Sequence, residues 1–376
     1  MKKKSILFSS TATYFTMLMI FVLIRFLLSL ITLPFSEEVN DLIFTIIVQV
    51  GVMFCISVFM FSSLSKQKPS FTLREFGYKK IGLVPILLCI VIGAVCYVLN
   101  VFVASFFSTI ISLMGYETAP TLSTGASADY SLPAFFLQVF LVAILPAIGE
   151  ETAHRGLLLK GMSSMGIIKA LLFSSLFFGL MHLNINQFFY ATVLGFIMGL
   201  AVLMSKNIFP GIIIHFMNNF LSTYFTFASQ KQNLWPFYNL PDIFSAYVFG
   251  DGNVFSLFIR SLIFLAIIFS ILVFLFVRLL RHTRVKNVEN MLKDISDINN
   301  EFNSNPNAYS EDDSVQNLYN LNKLMGEYNI KSVGQMVFTD LESRYKKPSM
   351  FERVCLISCL VVGVLLTIST FVWGLL

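Results

Sequence analysis

"FFLQVFLVAILPAIGEETAHRGLLLK", residues Phe135–Lys160, decides how the chain is read. An apolar run with no strand alternation reaches Gly149. It then meets two adjacent carboxylates, Glu150 and Glu151, followed by His154 and Arg155, before the apolar pattern resumes. A run of this kind is a helix in lipid, where every backbone polar group must be satisfied within the segment. Ionisable side chains inside such a helix are costly and usually face a partner or a cavity. A charged helix cap accounts for Arg155 and Lys160 but leaves Glu150 unexplained.

The rest of the chain is built in the same way. Of 376 residues 56% are hydrophobic and only 12% are charged. A soluble domain carries about twice that charged share. Nine apolar runs read as membrane spans, at 12–34, 41–62, 82–113, 132–158, 164–184, 187–205, 208–228, 254–280 and 351–375. The expected fold is all-α, a polytopic transmembrane bundle with an eight-helix core (1–281) plus one C-terminal span (351–376). The start, "MKKKSILF", resembles a signal-peptide n-region. The run that follows contains Ser9, Ser10, Thr11 and Thr13 and lacks a small-x-small cleavage site, so it reads as an uncleaved first span.

Lys and Arg set the expected orientation. Lys2, Lys3 and Lys4, the 64–80 loop, the 155–169 connection and the flank holding Arg278, Arg281, Arg284 and Lys286 are basic. The alternate loops are neutral or acidic. The expectation is a cytoplasmic N-terminus and an outside C-terminus, in a cell membrane whose Lys/Asn/Ile/Phe-rich composition points to a bacterium. The net charge of +5 follows from this topology. No nucleic-acid partner is expected, because no basic patch comes with an interleaved aromatic platform. All five cysteines fall inside spans, which fits small packing residues better than a disulfide framework. The polar segment 285–348 reads as a cytoplasmic linker or appendix, with docking of a membrane-protein partner as its alternative role.

Four histidines occur, and His282 sits in a basic helix end. His154, His182 and His215 lie in or beside spans. On a helix Glu151 and Arg155 are i,i+4, in the favoured acid-before-base order, so they can pair. Glu150 points about 100° away, without that cation. A carboxylate in apolar surroundings and without a counter-charge suits acid–base work. His154 is also i,i+4 from Glu150 and either tunes it or caps the helix. His215 and Asn219 share a face, and a His beside an amide donor can hold a developing oxyanion. Glu150, His182 and His215 could equally supply N and O ligands to Zn²⁺. At 1.5 Å per residue Glu150 lies ~15 Å from Lys160, His215 ~12 Å and Asn219 ~18 Å from Asn207, and His182 ~20 Å from Lys169. Gly195 and Gly199 form a small-xxx-small pair that lets helices approach closely. Arg25 interrupts the first span and is expected to find a partner in the bundle, whereas Arg260 lies near the outer boundary.

The ordered series E-E-x-x-x-R (Glu150, Glu151, Arg155), F-x-x-x-H (Phe178, His182) and H-x-x-x-N (His215, Asn219) resembles the CAAX prenyl protease and bacteriocin-processing family, also called the type II CAAX endopeptidase or Abi family. The resemblance covers about 130–225 and leaves 285–376 as an extra. It implies an intramembrane endopeptidase. Carried over by motif position, Glu150 activates the attacking water with help from His182, His215 and Asn219 stabilise the oxyanion, and Glu151 with Arg155 order the site. The resemblance leaves both a metal mechanism and a metal-free glutamate mechanism open. A prenylated CAAX tail is the family's eukaryotic substrate. For a bacterial chain the expected substrate is a peptide signal, a bacteriocin or a membrane protein. The rival from another class is a non-proteolytic scaffold or regulator, with filled motif positions favouring the enzyme. A third is a transporter moving protons on Glu and His, against which the His215/Asn219 and E-E-x-x-x-R spacings speak.

Overall fold

The structure, a computed structural model, describes residues 6–30, 37–115, 130–231, 236–250, 254–285 and 349–373. The segment from 286 to 348, with the appendix and partner roles expected of it, lies outside the described residues. Among the described residues every regular element is helical and no strand occurs.

Among the described residues seven helices are long and apolar enough to cross a membrane. They are α1 (Ile6–Leu30), α2 (Val39–Ser65), α4 (Leu83–Leu113), α5 (Leu132–Met162), α7 (Ile185–Ser205), α10 (Val254–Leu280) and α11 (Met350–Trp373). The short α3 (Pro69–Phe76) and α9 (Leu240–Phe249) lie in connections. The chain is thus a multi-pass membrane protein, and the expected polytopic bundle is what forms.

Two of the nine expected spans depart from ordinary membrane helices, for different reasons. Helix α6 (Ile167–Met181) has 15 residues, about 22 Å of rise, short of the ~30 Å of a hydrocarbon core. It ends at His182, and Leu183 follows with a left-handed φ of 50°. Helix α8 (Phe209–Gln230) has 22 residues but lies outside the apolar seven, because His215, Asn218, Asn219, Ser222, Thr223 and Thr226 interrupt it. These two helices carry the motif residues His182, His215 and Asn219. Polar groups at this depth are tolerated where they face protein or a cavity.

Helix α5 packs against α2, α6 and α8. Helix α7 packs against α6, α4 and α8. One apolar core joins Tyr14, Met17, Val52, Met53, Leu157, Leu158 and Phe177 from α1, α2, α5 and α6. A second joins Ile92, Cys96, Phe178, Met198, Ile214 and Leu275 from α4, α6, α7, α8 and α10. Gly195 and Gly199 do what small residues do in a membrane bundle. A Cβ on Gly195 would stand 3.2 Å from the Ser175 Cα of α6, and one on Gly199 2.6 Å from a Leu171 methyl. The five cysteines are free; Cys89, Cys96 and Cys359 are buried in these cores, and Cys355 is buried outside them. At one end of the bundle Asn207 ties the α7–α8 turn to the loop after α3. Its amide donates to the carbonyls of Lys79 and Lys80 at 3.1 and 3.2 Å, and its Oδ1 accepts from Phe209 N at 3.0 Å.

Candidate active site

The carboxylates on α5 have different neighbours, as the helix spacing anticipates. Arg155 Nη1 donates to Glu151 Oε1 at 2.6 Å, with both side chains fully enclosed. Arg155 Nη2 reaches across to the Gly195 carbonyl of α7 at 3.0 Å. The guanidinium lies over the Phe178 ring, 4.4 Å from its centroid, a cation–π contact in a desolvated setting. Three elements, α5, α6 and α7, therefore hold one cation.

Glu151 Oε1 also lies 3.2 Å from His215 Nδ1. An ionised carboxylate only accepts, so this contact places a proton on His215 Nδ1. Nε2 then faces the other glutamate: it stands 4.0 Å from Glu150 Oε2. Glu150 Oε2 is buried and has no hydrogen-bond partner, while Glu150 Oε1 accepts from Gln49 Nε2 of α2 at 2.8 Å. One oxygen of Glu150 is anchored, and the other is directed toward an imidazole nitrogen.

Gly149 makes the Gln49 contact feasible. A Cβ there would run into the Gln49 backbone carbonyl, so only a glycine lets α2 approach α5 closely enough for the amide to reach the carboxylate.

His154 is placed differently from the other histidines. Nδ1 donates to the Glu150 backbone carbonyl at 2.8 Å, since a carbonyl cannot donate, and Nε2 accepts from the Tyr14 hydroxyl of α1 at 3.1 Å. It is wholly buried. His154 lies inside α5, eight residues before its end at Met162, so it caps no helix terminus. It holds α1 on α5 and meets the main chain of Glu150, not its carboxylate.

Phe178 gathers the set. The rings of His154, His182 and His215 stand edge-on to it at 5.2, 5.3 and 5.5 Å between centroids. His182 also lies within electrostatic reach of Glu150, His215 and Arg25. Although it is counted ~20 Å from Lys169, His182 stands in the same cluster. Arg25, for which a bundle partner was expected, also sits 5.8 Å from the Phe21 centroid. Arg260 donates to the carbonyls of Tyr247 and Gly250, both at 2.9 Å, and so fastens α9 to α10.

Asn219 ends a chain of amides. Asn100 Nδ2 of α4 donates to Asn218 Oδ1 at 2.7 Å, Asn218 Nδ2 donates to Asn219 Oδ1 at 3.0 Å, and Asn219 Nδ2 donates to the Val142 carbonyl of α5 at 2.9 Å. The Asn219 amide carries two N–H groups, so one remains beyond the Val142 contact. Asn218, whose spacing rotates it away from the His215 face, is the link between α4 and Asn219.

For a metal, the available donors are Glu150, His182 and His215. Among the described residues no three His, Cys, Asp or Glu side chains form a ligand group. The arrangement does not fit a preformed three-ligand Zn²⁺ site, and no step below runs through a metal.

Residues 132–221 match the family of type II CAAX prenyl endopeptidases, Rce1-like. The match begins at the first residue of α5 and ends two residues after Asn219, so it takes in every motif position from Glu150 to Asn219. It covers about a quarter of the 376-residue chain. No curated protein and no solved structure matches the chain significantly. The CAAX prenyl endopeptidases are proteases, so the matched segment is similar to a protease domain. Two contributors to the site lie outside the CAAX-type segment: Gln49 on α2 and Asn100 on α4. Both are polar residues in otherwise apolar runs, "IIVQVGV" and "YVLNVFV". That is the signal by which sequence alone flags them.

Proposed function

We propose that the protein is an intramembrane endopeptidase in which Glu150 activates water for attack on a peptide bond. The observation that carries this is the facing pair Glu150 Oε2 and His215 Nε2, 4.0 Å apart, with Oε2 buried and unpartnered. A water at about 2.8 Å from each fits across that separation.

In the proposed reaction the water oxygen bonds to the scissile carbonyl carbon while its proton passes to Glu150. The carbonyl π pair moves onto oxygen, giving a tetrahedral oxyanion. An imidazolium His215, its Nδ1–H held by Glu151, presents Nε2–H to that oxyanion, and the second N–H of Asn219 is the other donor. Charge-assisted donors in a site with little water are worth more than the same donors in bulk. On collapse the carbonyl re-forms, the C–N bond breaks, and the proton on Glu150 goes to the leaving amine. His182 assists from the Phe178 cluster. Glu151 and Arg155 act by positioning His215.

The substrate is a membrane-associated peptide or protein; the basic end of the bundle is proposed to face the cytoplasm. The test is reconstitution of the full chain in vesicles with a library of membrane-anchored reporter peptides. Glu150→Gln keeps the size and the Gln49 contact in reach but removes the base. Loss of cleavage with unchanged thermal unfolding is expected. Intact cellular function in Glu150→Gln and His182→Ala, with loss on deleting 285–348, overturns proteolysis and leaves the scaffold role.

A further inference from the structure

At one end of the bundle the helix ends enclose a cavity of about 310 Å³ that the peptidase chemistry does not use. Its rim carries Lys79, Lys160 and Lys206, all exposed. Its walls are apolar, formed by Phe76, Leu159, Val202 and Leu203. Glu75 is the acidic group on the lining, but its carboxylate already takes a hydrogen bond from Gln67 Nε2 at 2.8 Å. Lys160 Nζ meets the Glu75 backbone carbonyl, not its carboxylate.

The inner end of the cavity is lined by Arg155. That side chain is 1% exposed, and its Nε is a buried donor without a partner. A buried guanidinium N–H left unpaired costs free energy, so an acceptor arriving through the cavity would be stabilised there. The position fits a lipid. Helices α5 and α7 end, and α6 and α8 begin, around this cavity, the level at which apolar tails give way to headgroups. Basic side chains over apolar walls at that level attract anionic lipid.

We infer that this cavity binds an anionic phospholipid, its phosphate among Lys79, Lys160 and Lys206 and an acyl chain against Leu159 and Leu203. The same anion chemistry is shared by free phosphate and by a peptide carboxylate, and the test separates them. The full chain is placed in phosphatidylcholine nanodiscs holding a minority of phosphatidylglycerol. Lipid retained on release is then counted by native mass spectrometry.

Wild type is expected to retain phosphatidylglycerol selectively. Lys79→Gln with Lys206→Gln is expected to lower retention about 25-fold, at roughly fivefold per basic residue. Leu203→Trp fills the cavity without changing charge and is expected to lower retention as much. Lys66→Gln with Lys68→Gln, basic residues of the same loop outside the cavity, is expected to leave it unchanged. Thermal unfolding of each variant confirms the fold. Equal loss in the Lys66/Lys68 variant, or no loss in Leu203→Trp, overturns the site. So does displacement of the lipid by millimolar inorganic phosphate, or by a peptide with a free C-terminal carboxylate but not by its amide.

Discussion

Gln49 Nε2 of α2 donates to Glu150 Oε1 of α5 at 2.8 Å, between residues 101 positions apart. The bond fixes which carboxylate oxygen is free, and with it the direction in which the proposed base acts. A hydrogen bond to a charged group is worth about 1.5–3 kcal/mol. Gln49→Leu is therefore expected to cut peptide turnover by roughly 10- to 100-fold, mostly in kcat. Purified enzyme in vesicles measures this. A change confined to KM would remove Gln49 from positioning the base.

Gly149 stands where α2 crosses α5. In Gly149→Ala the new Cβ meets the Gln49 carbonyl, which is backbone and cannot rotate aside. Overpacking of this kind costs about 1–3 kcal/mol. The expected result is a lower melting temperature together with a turnover loss at least as large as in Gln49→Leu, because the helix shift also breaks the Gln49–Glu150 contact. Unchanged melting in Gly149→Ala would show that α2 does not approach α5 this closely.

Much of this was legible in the sequence. The Glu151–Arg155 pair follows from i,i+4 spacing alone, and the Gly195/Gly199 pair from small-residue spacing. The three motifs single out Glu150, His182, His215 and Asn219 by spacing alone. What the sequence left unassigned is what depends on tertiary approach. Nothing local says that Gln49 reaches Glu150, that Asn100 reaches Asn219 through Asn218, or that Tyr14 claims His154. Each of those contacts joins different helices. Likewise hydropathy gives spans but not ends: α6 stops at Met181, and His182 caps it.

Phe178 is the one apolar member of the motif set, and its ring touches Arg155 and three histidines. Phe178→Leu keeps an apolar side chain but removes the face and edges that these groups use. Stability is expected to fall by about 1–2 kcal/mol, from lost packing and the cation–π contact. Turnover is expected to fall more steeply than stability explains, because His182 and His215 lose a common wall. Melting curves and kcat on the same preparation separate the two effects.

Arg155 and Glu151 test whether the buried pair serves stability or geometry. Arg155→Ala leaves a buried carboxylate unpaired, which costs about 3–5 kcal/mol, so a large drop in melting temperature is expected. Replacing both, Arg155→Leu with Glu151→Leu, removes two charges from an apolar interior, and such exchanges are often neutral in stability. The double variant is therefore expected to melt well above Arg155→Ala. It also deprives His215 Nδ1 of its acceptor, which lies at 3.2 Å in the wild type. The imidazole is then free to rotate or to change tautomer, and Nε2 no longer faces Glu150. Recovery of the fold without recovery of cleavage is the expected pattern. Recovery of both would mean that Glu151 has no part in orienting His215.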